Sequence, residues 1–241
     1  MVTRLGRIGF SELDARTLAD HFLDAERRGK PSHGVARIAW LETFADLDPV
    51  ARPVKVTSTT GFDLWEGRGA LGYLTLAAIC DDLEANPPSP VRVVAAARCF
   101  PTGMLGYWVR RLADAGLASL LTATSPARLA HPDGGEPLAG TNPLAIGLPN
   151  PGGEPIVVDV SMGAVTHGDV LRGVARPEEL VPFGGAQAHK AFALAIGLQG
   201  WVESFVGEEH GAVLVTALPC HDGFVAALRE RADGLRLPGD R

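Results

Sequence analysis

The sequence predicts an α/β fold, because apolar segments with strand composition alternate along the chain with segments that have helical periodicity. Residues 52–66 are rich in Val and Thr, and residues 91–97 form a short apolar run typical of a buried strand. Residues 104–115, which follow that run, carry apolar side chains at helical spacing. The 241 residues are enough to bury the core of one large domain or of two small ones.

The first fifty residues predict helices on either side of a polar loop. Ser11, followed by an apolar pattern at helical spacing, predicts a capped amphipathic helix over residues 11–28. A second helix is expected over residues 34–46. If that helix begins directly after the Ser-His-Gly loop, His33 and Arg37 are four positions apart and project towards the same side.

A formal GxGxxG sequence occupies residues 67–72 and precedes an apolar helix expected at residues 73–83. A dinucleotide-binding Rossmann unit also requires a second strand that ends in an acidic residue about twenty positions later. The chain there reads Asn-Pro-Pro-Ser-Pro-Val-Arg-Val-Val over residues 86–94, without such an acid. We therefore interpret the glycines as a turn that leads into a helix.

The remaining elements continue the alternation of strands and helices. We expect strands at 117–122, 144–148, 155–160 and 212–217, helices at 187–206 and 223–232, a polar turn-rich segment at 123–143, and an irregular glycine-rich segment at 161–185. The helix at 187–206 is apolar on nearly all sides, which predicts that it is buried or lies at a subunit interface.

The composition excludes several classes of partner and site. The net charge is −6 without any Lys/Arg-rich run, which argues against nucleic acid or an anionic membrane and leaves small organic ligands. Cys80, Cys99 and Cys220 are far apart and lack metal-site spacing, so we expect reduced thiols, a cytoplasmic location and no metal site. No apolar run approaches about 18 residues, which predicts neither a membrane span nor a secretion signal.

Ser32, His33 and Arg37 together suit the chemistry of a small carboxylate. Imidazole exchanges a proton near neutral pH, the neighbouring hydroxyl can orient the imidazole or a substrate, and a guanidinium binds a carboxylate with two parallel hydrogen bonds. By itself the tripeptide is equally compatible with a helix stop whose histidine faces solvent.

Four motifs extend this chemistry to the whole chain. They are RG-x-x-SHG-x-x-R at residues 28–37, G-x-x-GYW at 103–108, GG…GTNPLA…P from 134 to 149, and PFGG-x-x-x-x-K from 182 to 190. In order and spacing, over roughly residues 5–235, the chain resembles the malate/L-lactate dehydrogenase type of NAD(P)-dependent oxidoreductase. The resemblance implies a non-Rossmann α/β fold with a mixed sheet, flanking helices and a helical N-terminal part.

The resemblance also implies a role for each matching site residue. His33 would donate the proton to a carbonyl or an imine with Ser32 beside it, and Arg37 would bind the substrate carboxylate. NADH or NADPH would be the cofactor, and the family implies a homodimer. Residues that would contact the cofactor are Thr141, which would also contact the substrate, Asn142, Asp159, Ser161 and Lys190.

Three of these cofactor residues have a structural alternative. Asn142 before a proline is typical of a turn, Asp159 could cap a loop, and Lys190 could be a solvated charge at a helix start. We divide the chain into a helical segment with the SHG motif at 1–50, an α/β core with cofactor-type loops at 51–185, and a helix-strand-helix part at 186–241 that completes the core and forms the dimer contact.

Two departures from the family pattern affect the predicted chemistry. The position that usually carries a second histidine is Pro101, which can neither transfer a proton nor accept a hydrogen bond. Between Gly168 and Pro182 the family usually has about thirty more residues, including a loop whose aspartate orients the catalytic histidine. Glu178 or Glu179 might replace that aspartate, although nothing in the sequence shows that either one reaches the histidine.

The sequence therefore supports three functions, in a stated order of preference. The first is an NAD(P)H-dependent reductase of a small 2-oxo acid or cyclic imino acid, because Ser32, His33 and Arg37 are all retained. The second is a non-redox lyase, cyclase or hydrolase that uses the same carboxylate pocket after loss of the cofactor. The third is a non-catalytic binding subunit.

Overall fold

The computed structural model describes residues 1–221 and 223–240, which form one mixed sheet covered by helices. The helices are α1 (Val2–Ile8), α2 (Glu12–Arg27), α3 (Ala36–Leu41), α4 (Gly72–Ala85), α5 (Leu105–Asp114), α6 (His167–Leu171), α7 (Ala188–Val206) and α8 (Phe224–Ala232). The strands are β1 (Val54–Thr59), β2 (Phe62–Glu66), β3 (Val91–Ala97), β4 (Ala118–Ala123), β5 (Leu144–Leu148), β6 (Ile156–Val160) and β7 (Ala212–Ala217). Asp222 and Arg241, which belong to the predicted C-terminal part, lie outside the described residues.

The strand order is β1-β2-β3-β7-β4-β5-β6, and β2 with β3 is the parallel pair among otherwise antiparallel neighbours in the described chain. The predicted α/β class and the mixed sheet are therefore confirmed. Strand β7 lies between β3 and β4, so the C-terminal part of the chain supplies the centre of the sheet. No helix in the described chain is long and apolar enough to cross a membrane.

The two faces of the sheet carry different helices, as the alternation along β3 shows. Val94 and Ala96 belong to the main core with α2, α4 and α5, whereas Ala95 packs with Val202 of α7. Successive side chains of a strand point to opposite faces, so α7 covers the face opposite to α4 and α5. The fully buried Trp108 and Leu112 place α5 at the centre of the main core.

The N-terminal helices differ partly from the prediction. Helix α2 begins after Ser11, whose hydroxyl accepts a hydrogen bond from the Asp14 amide at 3.2 Å, so the predicted capped helix is confirmed. The second helix was predicted over residues 34–46 but spans only Ala36–Leu41, because Pro31–His33 form a 3-10 turn. Helices α1 and α6 were not predicted, since both are short and lack a long apolar period.

The GxGxxG segment is a packing element, as the sequence interpretation proposed. A methyl group on Gly72 would lie 2.7 Å from the carbonyl oxygen of Pro101, and one on Gly67 would overlap the carbonyl of Arg98. These glycines therefore allow the start of α4 to pack directly on the loop at residues 98–101, which reaches the candidate site below.

His21 is fully buried in an aromatic cluster of the main core, and its burial makes folding dependent on pH. Its ring packs against Tyr73 and Trp108, and Nε2 accepts a hydrogen bond from the Met104 amide at 3.0 Å. Burial lowers the pKa of His21 to about 4. An unfolded chain has a histidine pKa near its ordinary value of about 6.5 and therefore binds the proton first as the pH falls.

We expect the free energy of unfolding to decrease by about 3 kcal/mol through His21 alone as the pH falls from about 6.5 to about 4, since each pKa unit is worth about 1.4 kcal/mol. Urea unfolding at a series of pH values measures this slope. His21→Phe should flatten the slope by up to one proton even if it shifts the absolute stability. The exposed His189 offers the control, and an equal slope in wild type and His21→Phe would contradict the assignment.

Candidate active site

A cavity of about 380 Å³ lies between the N-terminal helices and the loops at one end of the sheet, within the range typical of small-molecule sites. It is lined by residues of the 3-10 turn and α3 (Lys30, Ser32, His33, Arg37, Trp40, Phe44), of α4 and the following loop (Tyr73, Phe100, Pro101, Thr102, Gly103, Met104), of the loop after β4 (Thr124, Ser125, Pro126, Arg128), and of the segments around β5, β6 and α6 (Thr141, Pro143, Asp159, Ser161, Thr166, His167, Gly168).

The structure brings Ser32, His33 and Arg37 together in this cavity, although the helix after them starts later than predicted. Nε of Arg37 donates to the carbonyl oxygen of Ser32 at 2.7 Å, and the guanidinium lies 5.4 Å from the ring centroid of Trp40. These contacts orient the guanidinium without neutralising it, because Arg37 has no ion pair within the described chain.

Gly168 is required for this arrangement. A methyl group at this position would lie 2.6 Å from the Ser32 carbonyl oxygen and 2.8 Å from Nη2 of Arg37. The absence of a side chain at Gly168 therefore lets the start of α6 pack directly on both substrate-binding candidates.

His33 is held as a neutral imidazole. Burial, followed by the positive charge of Arg37, lowers its pKa to about 3. Its Nδ1 is buried and has no hydrogen-bond partner among the described residues. The imidazole therefore lacks the orienting carboxylate that the resemblance implied, in agreement with the missing loop.

The carboxylates near the missing loop are engaged elsewhere. Oδ2 of Asp169 accepts hydrogen bonds from the hydroxyl of Thr166 at 2.7 Å and from its amide at 3.1 Å, which caps α6. Glu179 accepts from the Arg176 amide at 2.8 Å, and Glu178 is exposed without any contact to His33 among the described residues. The sequence hypothesis that Glu178 or Glu179 replaces the orienting aspartate is therefore not supported by the structure.

Two cavity residues were missed by the sequence analysis. His167 lines the cavity that Pro101 also lines, so a second imidazole is present although the expected position has none. Its signal in the sequence is Thr166-His167-Gly168, which repeats the hydroxyl-imidazole-glycine order of the first motif. Arg128 is the other, and it stands in the turn-rich segment where no pattern distinguishes it from a solvated arginine.

The predicted cofactor residues separate into two groups. Thr141, Asp159 and Ser161 line the cavity. Asn142 is fully buried, and its amide donates to the carbonyl oxygen of Ala195 at 2.9 Å and to Oε1 of Gln199 at 2.8 Å. Lys190 is exposed on α7 outside the cavity, so contacts of Asn142 and Lys190 with a cofactor stay predictions without support from this geometry.

Asp159 has a structural partner as well as a place in the cavity wall. Its Oδ2 accepts from the Gly106 amide at the start of α5 at 2.8 Å, and burial raises the pKa of its carboxyl. The bond connects the end of β6 to α5, so the carboxylate stabilises the positive end of that helix.

Cys99 does not take part in chemistry at neutral pH. It is fully buried, and burial raises the pKa of its thiol to about 12, so the reactive thiolate is not populated. No group of three or more His, Cys, Asp or Glu side chains suited to a metal is present in the described part of the chain.

The polar groups of the cavity fit the nicotinamide end of a dinucleotide. The hydroxyl of Ser125 is buried at the cavity wall and has no partner among the described residues, and the hydroxyls of Thr141 and Ser161 line the same space. Such neutral donors and acceptors match a carboxamide and a ribose. Lys30 and Arg37 add positive charge without an ion pair in the described chain.

Comparisons with known proteins agree with this site. The family model for malate/L-lactate dehydrogenase matches residues 1–191. A Delta(1)-pyrroline-2-carboxylate reductase of Pseudomonas fluorescens is 28% identical, with 94% of this chain and 77% of that protein aligned. A Delta(1)-pyrroline-2-carboxylate/Delta(1)-piperideine-2-carboxylate reductase of Pseudomonas aeruginosa is 33% identical over 69% of this chain, and a (2R)-3-sulfolactate dehydrogenase (NADP(+)) of Chromohalobacter salexigens is 31% identical over 70% of it.

The last two alignments cover 51% and 52% of the relatives, so the chain spans about half the length of those two proteins. The crystal structure of a delta1-piperideine-2-carboxylate reductase from Pseudomonas syringae superposes with a TM-score of 0.80 at 26% identity, covering 99% of this chain and 89% of that one. A dehydrogenase from Sinorhizobium meliloti shares the fold with a TM-score of 0.85 at 24% identity, covering 99% and 86%. Sequence motifs, fold and family model agree, and the chain belongs to the malate/L-lactate dehydrogenase family.

Proposed function

We propose that the protein is an NAD(P)H-dependent reductase of a small 2-oxo acid or cyclic imino acid. The observation that carries this proposal is the convergence of Ser32, His33 and an unpaired Arg37 in one cavity. The relatives support reduction over the two alternatives, because those with the most similar sequences are named as reductases of cyclic imino acids or as dehydrogenases.

Arg37 would bind the substrate carboxylate and thereby prepare His33 for proton transfer. In the empty cavity the positive charge of Arg37 contributes to the low pKa of His33. A carboxylate on Arg37 offsets that charge, so substrate binding raises the pKa of His33 towards the physiological range. His33 then delivers its proton to the carbonyl oxygen or imine nitrogen and regains one from solvent.

The hydroxyls of Thr141, Ser161 and Ser125 would hold the nicotinamide cofactor at the cavity wall. When bound, the cofactor supplies the two electrons of the reduction. Trp40 and Phe44, whose rings stack at 4.8 Å, exclude water from the side of Arg37 and strengthen its interaction with a carboxylate.

Turnover with defined substrates tests the proposal. The purified protein should consume reduced nicotinamide in the presence of Delta(1)-pyrroline-2-carboxylate or a small 2-oxo acid, followed by the loss of absorbance of NADH or NADPH. Comparison of the two cofactors decides which one is used. Absence of turnover with every imino and 2-oxo acid, combined with binding of carboxylates, would favour the non-redox alternative, which the unpartnered Nδ1 of His33 suggests.

We further propose a homodimer built on α7. The helix buries Ala191, Ala195 and Val202 against the sheet but exposes Leu194 and Trp201 by 49% and 45%. An exposed apolar face of this size on a regular helix is typical of a subunit contact. Buried free thiols at Cys80 and Cys99 support the proposal that the protein works in the cytoplasm.

Light scattering at micromolar concentration should give twice the monomer mass of 25.3 kDa. Trp201→Glu should shift the protein towards the monomer, because it places a charge in the apolar contact. Leu235→Glu is the matched control, since Leu235 is 75% exposed on the C-terminal tail away from α7. A monodisperse monomer in the wild type would contradict the homodimer.

A further inference from the structure

Arg128 lines the same cavity as Arg37 and is presented from a fixed backbone. The amides of Arg128 and Leu129 both donate to the carbonyl oxygen of Ala139, at 2.8 and 2.9 Å. Leu129 and Ala139 are fully buried in a small core with Met162 and Ala195 of α7. The guanidinium therefore extends into the cavity from an anchored point rather than from a mobile loop.

Arg128 has no acidic partner in the described part of the chain. Its one side-chain hydrogen bond there runs from Nη1 to the carbonyl oxygen of Pro126, at 3.2 Å. By contrast, Arg28 next to the same motif is paired with Asp24 at 2.9 Å. A partly buried guanidinium without a counter-charge is unfavourable, and a bound anion removes that cost.

The two arginines lie close enough to influence one another and the second imidazole. Burial and then the charge of Arg37 lower the pKa of Arg128. Burial, then Arg128, then Arg37 lower the pKa of His167, which lines the same cavity. The cavity thus contains two unpaired guanidinium groups whose repulsion is relieved when each binds an anionic group.

We propose that Arg128 binds a second anionic group of the substrate, so that this site selects a small acid with two anionic groups over the monocarboxylic acid of the same length. This inference rests on the proposed carboxylate site at Arg37 and names the substrate class more closely. The two anions belong to one small molecule, because both guanidinium groups face a single cavity of about 380 Å³, which is too small for a whole dinucleotide.

Binding of unreactive acids tests the inference without turnover. Malonate, succinate and glutarate are compared with propionate, butyrate and valerate by calorimetry and by tryptophan fluorescence, because Trp40 lines the cavity. We expect the best dicarboxylate to bind about tenfold or more tightly than its monocarboxylate, the gain typical of one added charge-assisted pair. The chain length of the best ligand reports the separation of the two guanidinium groups.

The variants separate the two arginines. Arg128→Gln should remove the dicarboxylate preference and leave monocarboxylate affinity within about twofold, whereas Arg37→Gln should weaken both classes. Arg231→Gln, an exposed arginine on α8, is the control. An unchanged preference in Arg128→Gln would overturn the inference, as would equal binding of the two classes by the wild type. Selective loss of NADPH affinity in Arg128→Gln would assign the residue to the cofactor instead, and failure of all acids to bind would contradict the carboxylate site itself.

Discussion

His33→Ala is expected to lower kcat by about three orders of magnitude, while the protein keeps its fold and its affinity for carboxylates. A positioned general acid contributes about 10²- to 10⁴-fold, and no other group in the described cavity is adjacent to both Ser32 and Arg37 in the same turn. The measurement is steady-state reduction of Delta(1)-pyrroline-2-carboxylate or of a small 2-oxo acid by wild type and variant.

The pH profile provides a second readout for His33. In the wild type, kcat should fall at high pH as the substrate-bound imidazolium loses its proton, and His33→Gln should lose this limb together with most of the rate. The exposed His189→Ala is the matched control and should behave as the wild type. Unchanged activity in the His33 variants would transfer the acid role to His167, the other cavity imidazole.

Arg37→Lys is expected to raise KM by about 10- to 100-fold with a much smaller effect on kcat. Lysine keeps the charge but cannot form two parallel hydrogen bonds to a carboxylate, and such charge-assisted bonds are worth about 1.5–3 kcal/mol. Lysine also cannot donate from Nε to the Ser32 carbonyl, a bond of 2.7 Å that orients the wild-type side chain.

Substrate titrations of the wild type, Arg37→Lys and Arg37→Gln measure this effect. The glutamine variant should bind substrate still more weakly because it lacks the charge, and Arg231→Gln should retain the wild-type KM. A KM for Arg37→Lys within about twofold of the wild type would show that another cation binds the carboxylate. Lys30 and Arg128 are the candidates in the cavity.

Local patterns were sufficient to predict most elements of the fold. The capping serine and the apolar period located α2, and the short apolar runs located β3 and β7 within one or two residues. The length of the second helix was overestimated, because a proline and a glycine around His33 favour a 3-10 turn that periodicity does not reveal. The exposed face of α7 also could not be predicted, since an all-round apolar helix does not indicate which side meets the sheet.

The candidate site was predicted where the motif itself carries the chemistry. Ser32, His33, Arg37 and Thr141 all line the cavity, and the absence of an orienting carboxylate follows from the missing loop. Asn142 was placed near the cofactor by resemblance, yet its amide is fully used in joining its loop to α7. Only tertiary packing distinguishes such a buried structural amide from a ligand contact.

Arg128 and His167 illustrate the opposite error, since each is one of many similar residues in a polar loop. Their place in the cavity depends on the bond from the Leu129 amide to Ala139 and on the close packing of Gly168 against Arg37. Both are contacts between residues distant in sequence, so no local pattern predicts them.

Cofactor binding tests the central claim most directly. NADH and NADPH are titrated into the purified wild-type protein, with calorimetry and quenching of the four tryptophans as readouts. The account predicts saturable binding of at least one cofactor in the micromolar range, and tighter carboxylate binding to the cofactor complex than to the free protein. Absence of binding at millimolar concentrations of both cofactors would contradict a reductase and would direct the search to cofactor-free reactions at Ser32, His33 and Arg37.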